Sequence, residues 1–310
     1  MGSVMSRKFL FVFALLTASA SAQQPVEKNV VFGMYSGLAL LMDVYRPAKP
    51  NGAAVICIQG SAWTSPMAYD ASPITSRSEI VMASERLAAA GYTVFAINHR
   101  AAPRFHFPAQ LEDAQRAVRF VRHNAASYGF DPARIGAYGT SSGGHLSELL
   151  GTMDGAGDPN DPDPVNRLSA RVRAVVALFA PADLALQSKA SARPAHVAMM
   201  GFEYRDPDSG TRGAGRPEDV ENRQYRAASP ITYVTGDDAP MLLLHGDQDV
   251  IVTIAQSERM EAALKRAGVA VRLIRVPGGK HGENFQFPRG DARAPDFEGE
   301  AVRWFGDHLK

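Results

Sequence analysis

The residue best placed to act as a nucleophile is a serine between two glycines near the middle of the chain. The segment Gly139-Thr140-Ser141-Ser142-Gly143 has the Gly-x-Ser-x-Gly pattern, which is typical of a sharp strand-to-helix turn that exposes the serine hydroxyl. The residues before it have strand character and those after it have helical character. The pattern predicts a strained backbone at Ser141, with glycines on both sides because side chains there would collide with the strand and helix. An ordinary surface loop is the alternative interpretation of these five residues.

A serine hydroxyl becomes a nucleophile only when a base takes its proton, and that base needs a partner that fixes its tautomer. In a strand-turn-helix setting the chain order is serine, acid, histidine. One apolar strand pattern is followed by Asp247 and Asp249, and the next is followed by the glycine-flanked His281. We predict Ser141 as the nucleophile, His281 as the general base and Asp249 as the orienting acid. Asp247 is the alternative acid.

The same chemistry needs backbone N–H groups that stabilise the negative oxygen of the tetrahedral intermediate. The helix after Ser141 directs its free amides and positive dipole end at this oxygen, so Ser142 N–H is one predicted donor. The second donor is expected in the loop after the third strand, where Ser61 N–H is placed and Gly60 gives the chain room to turn. Trp63 and Tyr69 are candidates for the acyl pocket, or simply pack beneath a lid.

Alternating strand and helix patterns must position these groups, and they predict a doubly wound, mostly parallel α/β sheet with right-handed crossovers. An antiparallel hairpin is predicted at residues 28–45. The predicted strands are 53–58, 92–98, 134–138, 172–179, 240–245 and 269–276, and the predicted helices are 78–90, 108–126, 254–267 and 301–309. Residues 23–310 are predicted to form one domain, in which the irregular segment 182–238 is a cap or lid over the site.

The first 22 residues have the features of a secretory signal peptide. Arg7 and Lys8 precede a short apolar run, and the small residues Ala20-Ser21-Ala22 end the segment. The apolar run is too short to span a bilayer. We therefore expect a periplasmic or secreted protein that begins near Gln23 and has no integral membrane span after removal of the signal. The single cysteine, Cys57, lies in an apolar run and is predicted to be a buried packing residue.

The composition excludes some partners. The chain has 33 basic and 32 acidic residues among 310, with no basic run, so nucleic acid is not an expected partner. Asp158, Asp161 and Asp163 are conceivable calcium ligands, but their spacing fits no EF-hand loop and the intervening prolines favour a plain surface loop. We expect neither a metal nor a cofactor. The oligomeric state leaves no signal in the sequence.

The ordered set of motifs resembles the α/β-hydrolase fold, and within it the bacterial feruloyl and acetyl-xylan esterase group. The hormone-sensitive-lipase-like esterases and the arylformamidases are near relatives of this group. The resemblance covers residues from about 28 to 308. It is carried by Gln59-Gly60-Ser61-Ala62-Trp63, Asn98-His99-Arg100, Phe107-Pro108-Ala109-Gln110 with Asp113, Tyr138-Gly139-Thr140-Ser141-Ser142-Gly143-Gly144-His145, Ser229-Pro230-Ile231, His245-Gly246-Asp247-Gln248-Asp249 and Gly279-Lys280-His281-Gly282.

One departure from the family pattern concerns the oxyanion loop. The family usually has His-Gly-Gly-x-Trp where this chain has Gln59-Gly60-Ser61-Ala62-Trp63. Gln59 can still brace the loop by hydrogen bonds, and Ser61 keeps its N–H, although a residue larger than glycine makes the loop stiffer. The histidine of the serine motif, His145, is expected to brace a loop and to take no part in the chemistry.

The resemblance implies a secreted serine carboxylic-ester hydrolase acting on short-chain acyl or feruloyl esters, including esters of carbohydrates. Two other functions remain open from the sequence. An exported peptidase or amidase would use the same residues on a different bond, but relatives of that kind carry a further large domain. A binding protein on a non-catalytic scaffold draws its only support from the altered loop at residues 59–62. The acyl group and the alcohol depend on how residues 182–238 cover the pocket.

Overall fold

The computed structural model describes residues 26–65, 68, 71–187, 193–209, 215, 216, 218–288 and 290–310. Tyr69 and the predicted signal peptide at residues 1–22 lie outside this part of the chain. The strands are β1 (Glu27–Tyr35), β2 (Leu38–Tyr45), β3 (Ala54–Ile58), β4 (Thr93–Ile97), β5 (Ile135–Thr140), β6 (Ala174–Leu178), β7 (Met241–Gly246) and β8 (Val271–Val276). They form one sheet in the order β1-β2-β4-β3-β5-β6-β7-β8.

The α-helices of the described residues lie mostly between successive strands. They are α1 (Ser78–Ala89), α2 (Ala109–His123), α3 (Ala125–Tyr128), α4 (Ser142–Thr152), α5 (Leu184–Gln187), α6 (Arg193–Met200), α7 (Val220–Ala227), α8 (Ala255–Ala267) and α9 (Phe297–His308). Within the described part of the chain, none of them combines the length and the apolar character that a membrane crossing requires.

The central strand β3 shows why the sheet is covered on both faces. All five of its residues are fully buried. Ala54, Ile56 and Ile58 pack into one apolar core, whereas Val55 and Cys57 pack into the core on the opposite face. Successive side chains of a strand point to opposite faces, so a strand between two cores is apolar at every position. The predicted doubly wound, mostly parallel sheet is confirmed, and so is the burial of Cys57.

The first two strands form the predicted hairpin. β1 pairs antiparallel with β2, and β2 pairs antiparallel with β4, while every later pairing is parallel. Parallel neighbours end at the same edge of the sheet, and ligands bind outside the carboxyl ends of such strands. The turns that follow β5, β7 and β8 therefore lie at the same edge of the sheet, and they carry Ser141, Asp249 and His281.

Two helix boundaries differ from the predicted ones for local reasons. The helix predicted at residues 108–126 is divided at Asn124, whose side-chain amide donates to the Phe120 carbonyl oxygen at 2.8 Å. Asparagine side chains compete in this way with the backbone hydrogen bonds of a helix. The last helix begins four residues before the predicted start because Asp296 caps it by accepting the Gly299 N–H at 3.0 Å.

The segment 182–238 is described in part. Its described portions contain α5, α6, α7 and a 3₁₀ turn, Pro230–Tyr233, whereas residues 188–192, 210–214 and 217 lie outside the described part. Helix α6 contributes Pro194, Ala195 and His196 to the lining of the cavity above Ser141. This placement is compatible with the predicted cap, whose division from the rest of the domain stays a prediction.

Candidate active site

The candidate nucleophile lies in a strained turn between β5 and α4. Ser141 has a φ of 50° and a ψ of −120°, a combination that residues other than glycine rarely adopt. A Cβ atom on Gly139 would lie 2.2 Å from the Gly143 carbonyl oxygen, and one on Gly143 would lie 2.0 Å from the Ile58 carbonyl oxygen. Glycine is therefore required on both sides of the serine by close backbone contact.

The predicted base and acid meet the serine in a continuous hydrogen-bonded series. Ser141 Oγ lies 3.0 Å from His281 Nε2, and His281 Nδ1 lies 2.7 Å from Asp249 Oδ2. A carboxylate only accepts hydrogen bonds, so Nδ1 carries the imidazole proton and Nε2 is left as the acceptor. In this tautomer the Ser141 hydroxyl donates to His281, which is the geometry that general-base activation requires.

Several donors surround the carboxylate of Asp249. Its Oδ1 accepts the N–H groups of Ile251 and Val252, both at 2.9 Å, and its Oδ2 lies 3.3 Å from Nε2 of the buried His245. Burial opposes ionisation of this carboxyl, but hydrogen bonds from His245, His281 and Val252 outweigh it and lower the pKa of Asp249 to about 2. The carboxylate is therefore ionised at neutral pH.

The alternative acid, Asp247, is directed elsewhere. Its Oδ1 accepts the Gly278 N–H at 2.8 Å, which joins the turn after β7 to the turn after β8. The structure thus brings Asp249, and not Asp247, to His281. Asp247 holds together the two turns that carry the acid and the base.

The two predicted oxyanion donors have different surroundings. Ser142 is the first residue of α4, and its N–H has no acceptor among the described residues, as expected at a helix N-terminus. In contrast, Ser61 N–H donates to Ser142 Oγ at 2.8 Å. Gly60 lies against the nucleophile turn, because a Cβ atom there would be 2.7 Å from the Thr140 carbonyl oxygen. Because Ser61 N–H is bonded to Ser142 Oγ, the carbonyl oxygen of a substrate must displace the Ser142 hydroxyl before it can accept from Ser61 N–H.

A carboxylate that carries no recognisable signal in the sequence braces this loop. Gln59 Nε2 donates to Glu79 Oε2 at 2.9 Å and to the Gly60 carbonyl oxygen at 3.0 Å. Gly60 N–H donates in turn to Thr140 Oγ1 at 2.9 Å, whose hydroxyl lies 3.5 Å from the same Glu79 oxygen. Burial raises the pKa of Glu79 above its ordinary value. Glu79 therefore connects α1, the loop after β3 and the end of β5.

Trp63 is buried beneath the site and takes part in a second brace. Only 2% of its surface is exposed, and its Nε1–H donates to His145 Nδ1 at 3.1 Å. His145 Nε2 then donates to the Ala228 carbonyl oxygen at 2.7 Å. Burial lowers the pKa of His145 to about 4, which keeps the imidazole neutral in this role. The predicted bracing role of His145 is confirmed.

A histidine in the segment 182–238 was not singled out by the sequence. His196 on α6 is 1% exposed and lines the cavity, with its ring centroid 5.5 Å from that of Trp63. Neither of its ring nitrogens has a hydrogen-bond partner in the described part of the chain. Burial and the nearby His145 lower the pKa of His196 to about 3. The pocket thus contains a neutral imidazole whose hydrogen-bonding capacity is unused.

Above the serine lies a cavity of about 790 Å³, a size within the usual range for small-molecule sites. Its lining includes the oxyanion loop, Ser141, Ser142 and His281, together with the apolar residues Phe179, Pro181, Ile251 and Val252. Trp63 lies in the wall, whereas Tyr69, the other predicted pocket residue, is outside the described residues. Among the residues that the structure describes, no three His, Cys, Asp or Glu side chains are grouped as a metal ion would need.

Comparison with known proteins identifies the family. The BD-FAE family model matches residues 42–264, a stretch that contains both Ser141 and Asp249. The chain belongs to the BD-FAE family. The match ends before His281, so the base lies outside the matched stretch.

Curated relatives of this BD-FAE protein are named as esterases. Esterase LipQ of Mycobacterium tuberculosis is 33% identical over 251 residues, which are 78% of this chain and 53% of the relative. An acetylxylan esterase of Xylanibacter ruminicola is 24% identical over 284 residues, which are 91% of this chain and 51% of the relative. The chain spans about half the length of these curated relatives.

Solved structures confirm the α/β-hydrolase fold for this member of the BD-FAE family. A truncated carbohydrate esterase from gut microbiota superimposes with a TM-score of 0.72 and 29% identity, covering 94% of this chain and 98% of the other. An acetyl ester-xyloside bifunctional hydrolase from Caldicellulosiruptor lactoaceticus gives a TM-score of 0.68 and 26% identity, covering 87% of both chains.

Proposed function

We propose that the protein is a serine carboxylic-ester hydrolase that cleaves short-chain acyl or feruloyl esters, including esters of carbohydrates. The observation that carries this proposal is a series of two hydrogen bonds. Ser141 Oγ lies 3.0 Å from His281 Nε2, and His281 Nδ1 lies 2.7 Å from Asp249 Oδ2. It lies in a cavity large enough for a small ester. The names of the relatives, which include an acetylxylan esterase and a carbohydrate esterase, support the same reaction.

In acylation, Ser141 Oγ attacks the carbonyl carbon of the ester while its proton moves to His281 Nε2. Asp249 stabilises the imidazolium that forms, because its carboxylate is ionised and already bonded to Nδ1. The carbonyl oxygen becomes an oxyanion that accepts Ser142 N–H, and Ser61 N–H once the Ser142 hydroxyl has moved. When the intermediate collapses, His281 gives its proton to the departing alkoxide, and the acyl group stays on Ser141 as an ester.

Deacylation repeats these steps with water. His281 Nε2 takes a proton from the water, the resulting hydroxide attacks the acyl carbon, and the same amides stabilise the second oxyanion. The imidazolium then protonates Ser141 Oγ as the acid leaves. This sequence consumes one water per ester and returns Ser141 and His281 to their starting protonation states.

The first test is hydrolysis of p-nitrophenyl esters from acetate to decanoate by the wild type, Ser141→Ala and a control. Removal of the nucleophile should lower kcat by at least about 10⁴-fold. Ser127→Ala on α3 removes an exposed serine hydroxyl far from the turn and serves as the matched control. Undiminished turnover by Ser141→Ala would refute the proposal. Amide analogues of the same acyl groups, cleaved as readily as the esters, would favour a peptidase or amidase instead.

One observation supports a second candidate function, a binding protein that does not turn over an ester. The Ser61 N–H is occupied by the Ser142 hydroxyl, so the oxyanion site is only half open. Labelling by a p-nitrophenyl phosphonate separates the two functions. An active esterase incorporates one phosphonyl group at Ser141, whereas a binding protein that cannot activate this serine stays unlabelled.

The proposed site of action is the periplasm or the cell exterior, on the strength of the signal-peptide pattern at residues 1–22. Expression of the full chain in a bacterial host tests this. The exported protein should begin near Gln23 when its N-terminus is sequenced, and replacement of Ala20 and Ala22 by bulky residues should block processing. An uncleaved chain that stays in the cytoplasm would contradict the proposal.

A further inference from the structure

The direction of proton transfer divides the cavity into two sides. The departing alkoxide must receive its proton from His281 Nε2, so the alcohol half of the ester lies beside His281. The acyl substituent of the tetrahedral carbon points away from that nitrogen. Trp63 and His196, whose ring centroids lie 5.5 Å apart, form the wall next to the oxyanion loop. The residues beside His281 therefore contact the alcohol.

The alcohol side of the cavity is polar and carries both signs of charge. Glu283 follows His281 by two residues, and its Oε2 accepts the Ser78 hydroxyl at 2.8 Å. Both side chains are exposed and line the cavity with Arg77, the residue before Ser78. Arg77 Nη1 lies 3.5 Å from the Gly60 carbonyl oxygen, and Arg77 forms no ion pair with any residue in the described ranges. The carboxylate and the guanidinium are therefore available to a ligand.

The loop that carries Glu283 is held in an unusual conformation. Asn284, Phe285 and Gln286 follow it with φ values of 50°, 51° and 59°, three successive left-handed residues that are not glycine. Phe285 is 1% exposed, and Gln286 Nε2 donates to the His281 carbonyl oxygen at 2.8 Å. Strain of this kind persists only where surrounding contacts impose it. Glu283 is thus attached to a backbone that is fixed relative to the base.

We infer that Glu283, Ser78 and Arg77 form the subsite for the alcohol half of the ester, and that this alcohol is a neutral polyol such as a sugar. The inference rests on the proposed function and assigns its leaving-group specificity to these side chains. A cationic alcohol would face the Arg77 guanidinium, and an anionic alcohol would face the Glu283 carboxylate. A sugar hydroxyl can donate to Glu283, and a neighbouring one can accept from Arg77, so a neutral polyol uses both.

The test compares three acetate esters whose alcohols differ: a methyl xyloside carrying one acetyl group, p-nitrophenyl acetate and acetylcholine. The measured quantity is the selectivity, which is kcat/KM for the acetylated xyloside divided by that for p-nitrophenyl acetate. Loss of a charge-assisted hydrogen bond should lower the selectivity about tenfold or more in Glu283→Gln and in Arg77→Met. Asp307→Asn removes an exposed carboxylate on α9, outside the cavity, and should leave the selectivity unchanged.

Each other outcome overturns the inference. Equal losses on both esters would mean that Glu283 acts through the His281 loop, and unchanged selectivity would mean that the sugar does not touch it. For acetylcholine the corresponding quantity is its kcat/KM divided by that for p-nitrophenyl acetate. If this ratio falls in Glu283→Gln while the selectivity for the xyloside is unchanged, the subsite binds a cation instead. A wild type that hydrolyses none of the three acetates, no longer p-nitrophenyl ester and no feruloyl ester refutes the proposed function itself, whereas activity on p-nitrophenyl acetate without a change in selectivity refutes only the subsite.

Discussion

Ser61 donates its backbone N–H to the hydroxyl of Ser142 at 2.8 Å, so the two residues that supply the expected oxyanion donors are bonded to each other. Oxyanion holes stabilise a transition state because their donors are already directed at the developing charge. Here only Ser142 N–H is open at a helix N-terminus, and the second donor is released by rotation of the Ser142 side chain. Both expected oxyanion donors are present, but one of them is occupied by a hydrogen bond within the protein.

Ser142→Ala should therefore raise activity. Freeing Ser61 N–H from a neutral hydrogen bond of about 0.5–1.5 kcal/mol predicts a gain of about two- to tenfold in kcat/KM. The measurement is steady-state hydrolysis of p-nitrophenyl acetate. Ser142→Thr keeps the hydroxyl and is the matched control, which should not gain. A marked loss of kcat in Ser142→Ala, with Ser142→Thr active, would show that the hydroxyl itself assists the reaction.

Glu79 is predicted to act through the loop that it holds. Its Oε2 accepts from Gln59 at 2.9 Å, and without it the backbone around Gly60 and Ser61 loses a fixed position. One oxyanion donor is worth about 10²–10³ in kcat, so a misplaced one predicts a loss of about 10- to 100-fold in Glu79→Ala. KM should stay within about threefold, because the loss arises in the transition state.

Two further variants test whether Glu79 positions the oxyanion loop or binds the substrate. Glu79→Gln keeps a carbonyl oxygen that can accept from Gln59, so it should retain more activity than Glu79→Ala. Gln59→His introduces the residue usual in the family, whose ring N–H can also donate to Glu79, and should keep most of kcat. A rise in KM with unchanged kcat in Glu79→Ala would assign this carboxylate to substrate binding instead.

The loop after His281 supplies a prediction about stability. Asn284 has a φ of 50°, which glycine adopts freely but a β-branched residue does not. Asn284→Gly should change the free energy of unfolding by less than about 1 kcal/mol, whereas Asn284→Val should lower it by about 1–3 kcal/mol. Thermal unfolding of the pair measures this difference. Equal stabilities of the two variants would mean that the left-handed conformation is absent in solution.

The predicted nucleophile, base and acid could be recognised in the sequence because each one follows an apolar strand. Ser141, Asp249 and His281 follow β5, β7 and β8, and parallel strands bring their carboxyl ends to one edge. Only the order of residues and the fold are needed for that conclusion. The sequence favoured Asp249 and left Asp247 as the alternative, because both acids lie in the same short turn, and the hydrogen bond from His281 to Asp249 decides between them.

Glu79, His196 and Glu283 could not be found in this way. Glu79 reads as an ordinary acid in the first turn of a helix, where carboxylates are favoured in any case. His196 lies in the irregular segment 182–238, whose path across the cavity is set by tertiary contacts. Glu283 depends on a run of left-handed residues that have no glycine to indicate them. The hydrogen bond between Ser61 and Ser142 depends on a side-chain rotamer, which a motif does not specify.

The last prediction concerns a carboxyl group that the proposed chemistry does not use. Glu148, on the helix that begins after the nucleophile, is completely buried, and neither of its carboxyl oxygens has a hydrogen-bond partner among the described residues. Burial raises the pKa of the Glu148 carboxyl from 4.5 to about 8, because an unpaired charge is costly in an apolar interior. The folded protein therefore holds this carboxyl protonated at neutral pH.

The sign of the resulting pH dependence follows from proton linkage. Below pH 4.5 the carboxyl is protonated in the folded and the unfolded chain alike, whereas between pH 4.5 and about pH 8 only the unfolded chain releases the proton. The free energy of unfolding therefore falls as the pH rises through this window, by at most about 1.4 kcal/mol per pH unit. Glu148→Gln has no proton to lose, so its Tm should fall less than that of the wild type between pH 5 and pH 8.

Thermal unfolding of both proteins at a series of pH values measures this difference, and every other titrating group is common to the two. Glu218→Gln, which changes a side chain that is 64% exposed, controls for the loss of a carboxylate as such. If the Tm curves of the wild type and Glu148→Gln run parallel from pH 5 to pH 8, the Glu148 carboxyl is solvated or paired in solution. Its burial would then have no consequence for the stability of the helix that carries the nucleophile turn.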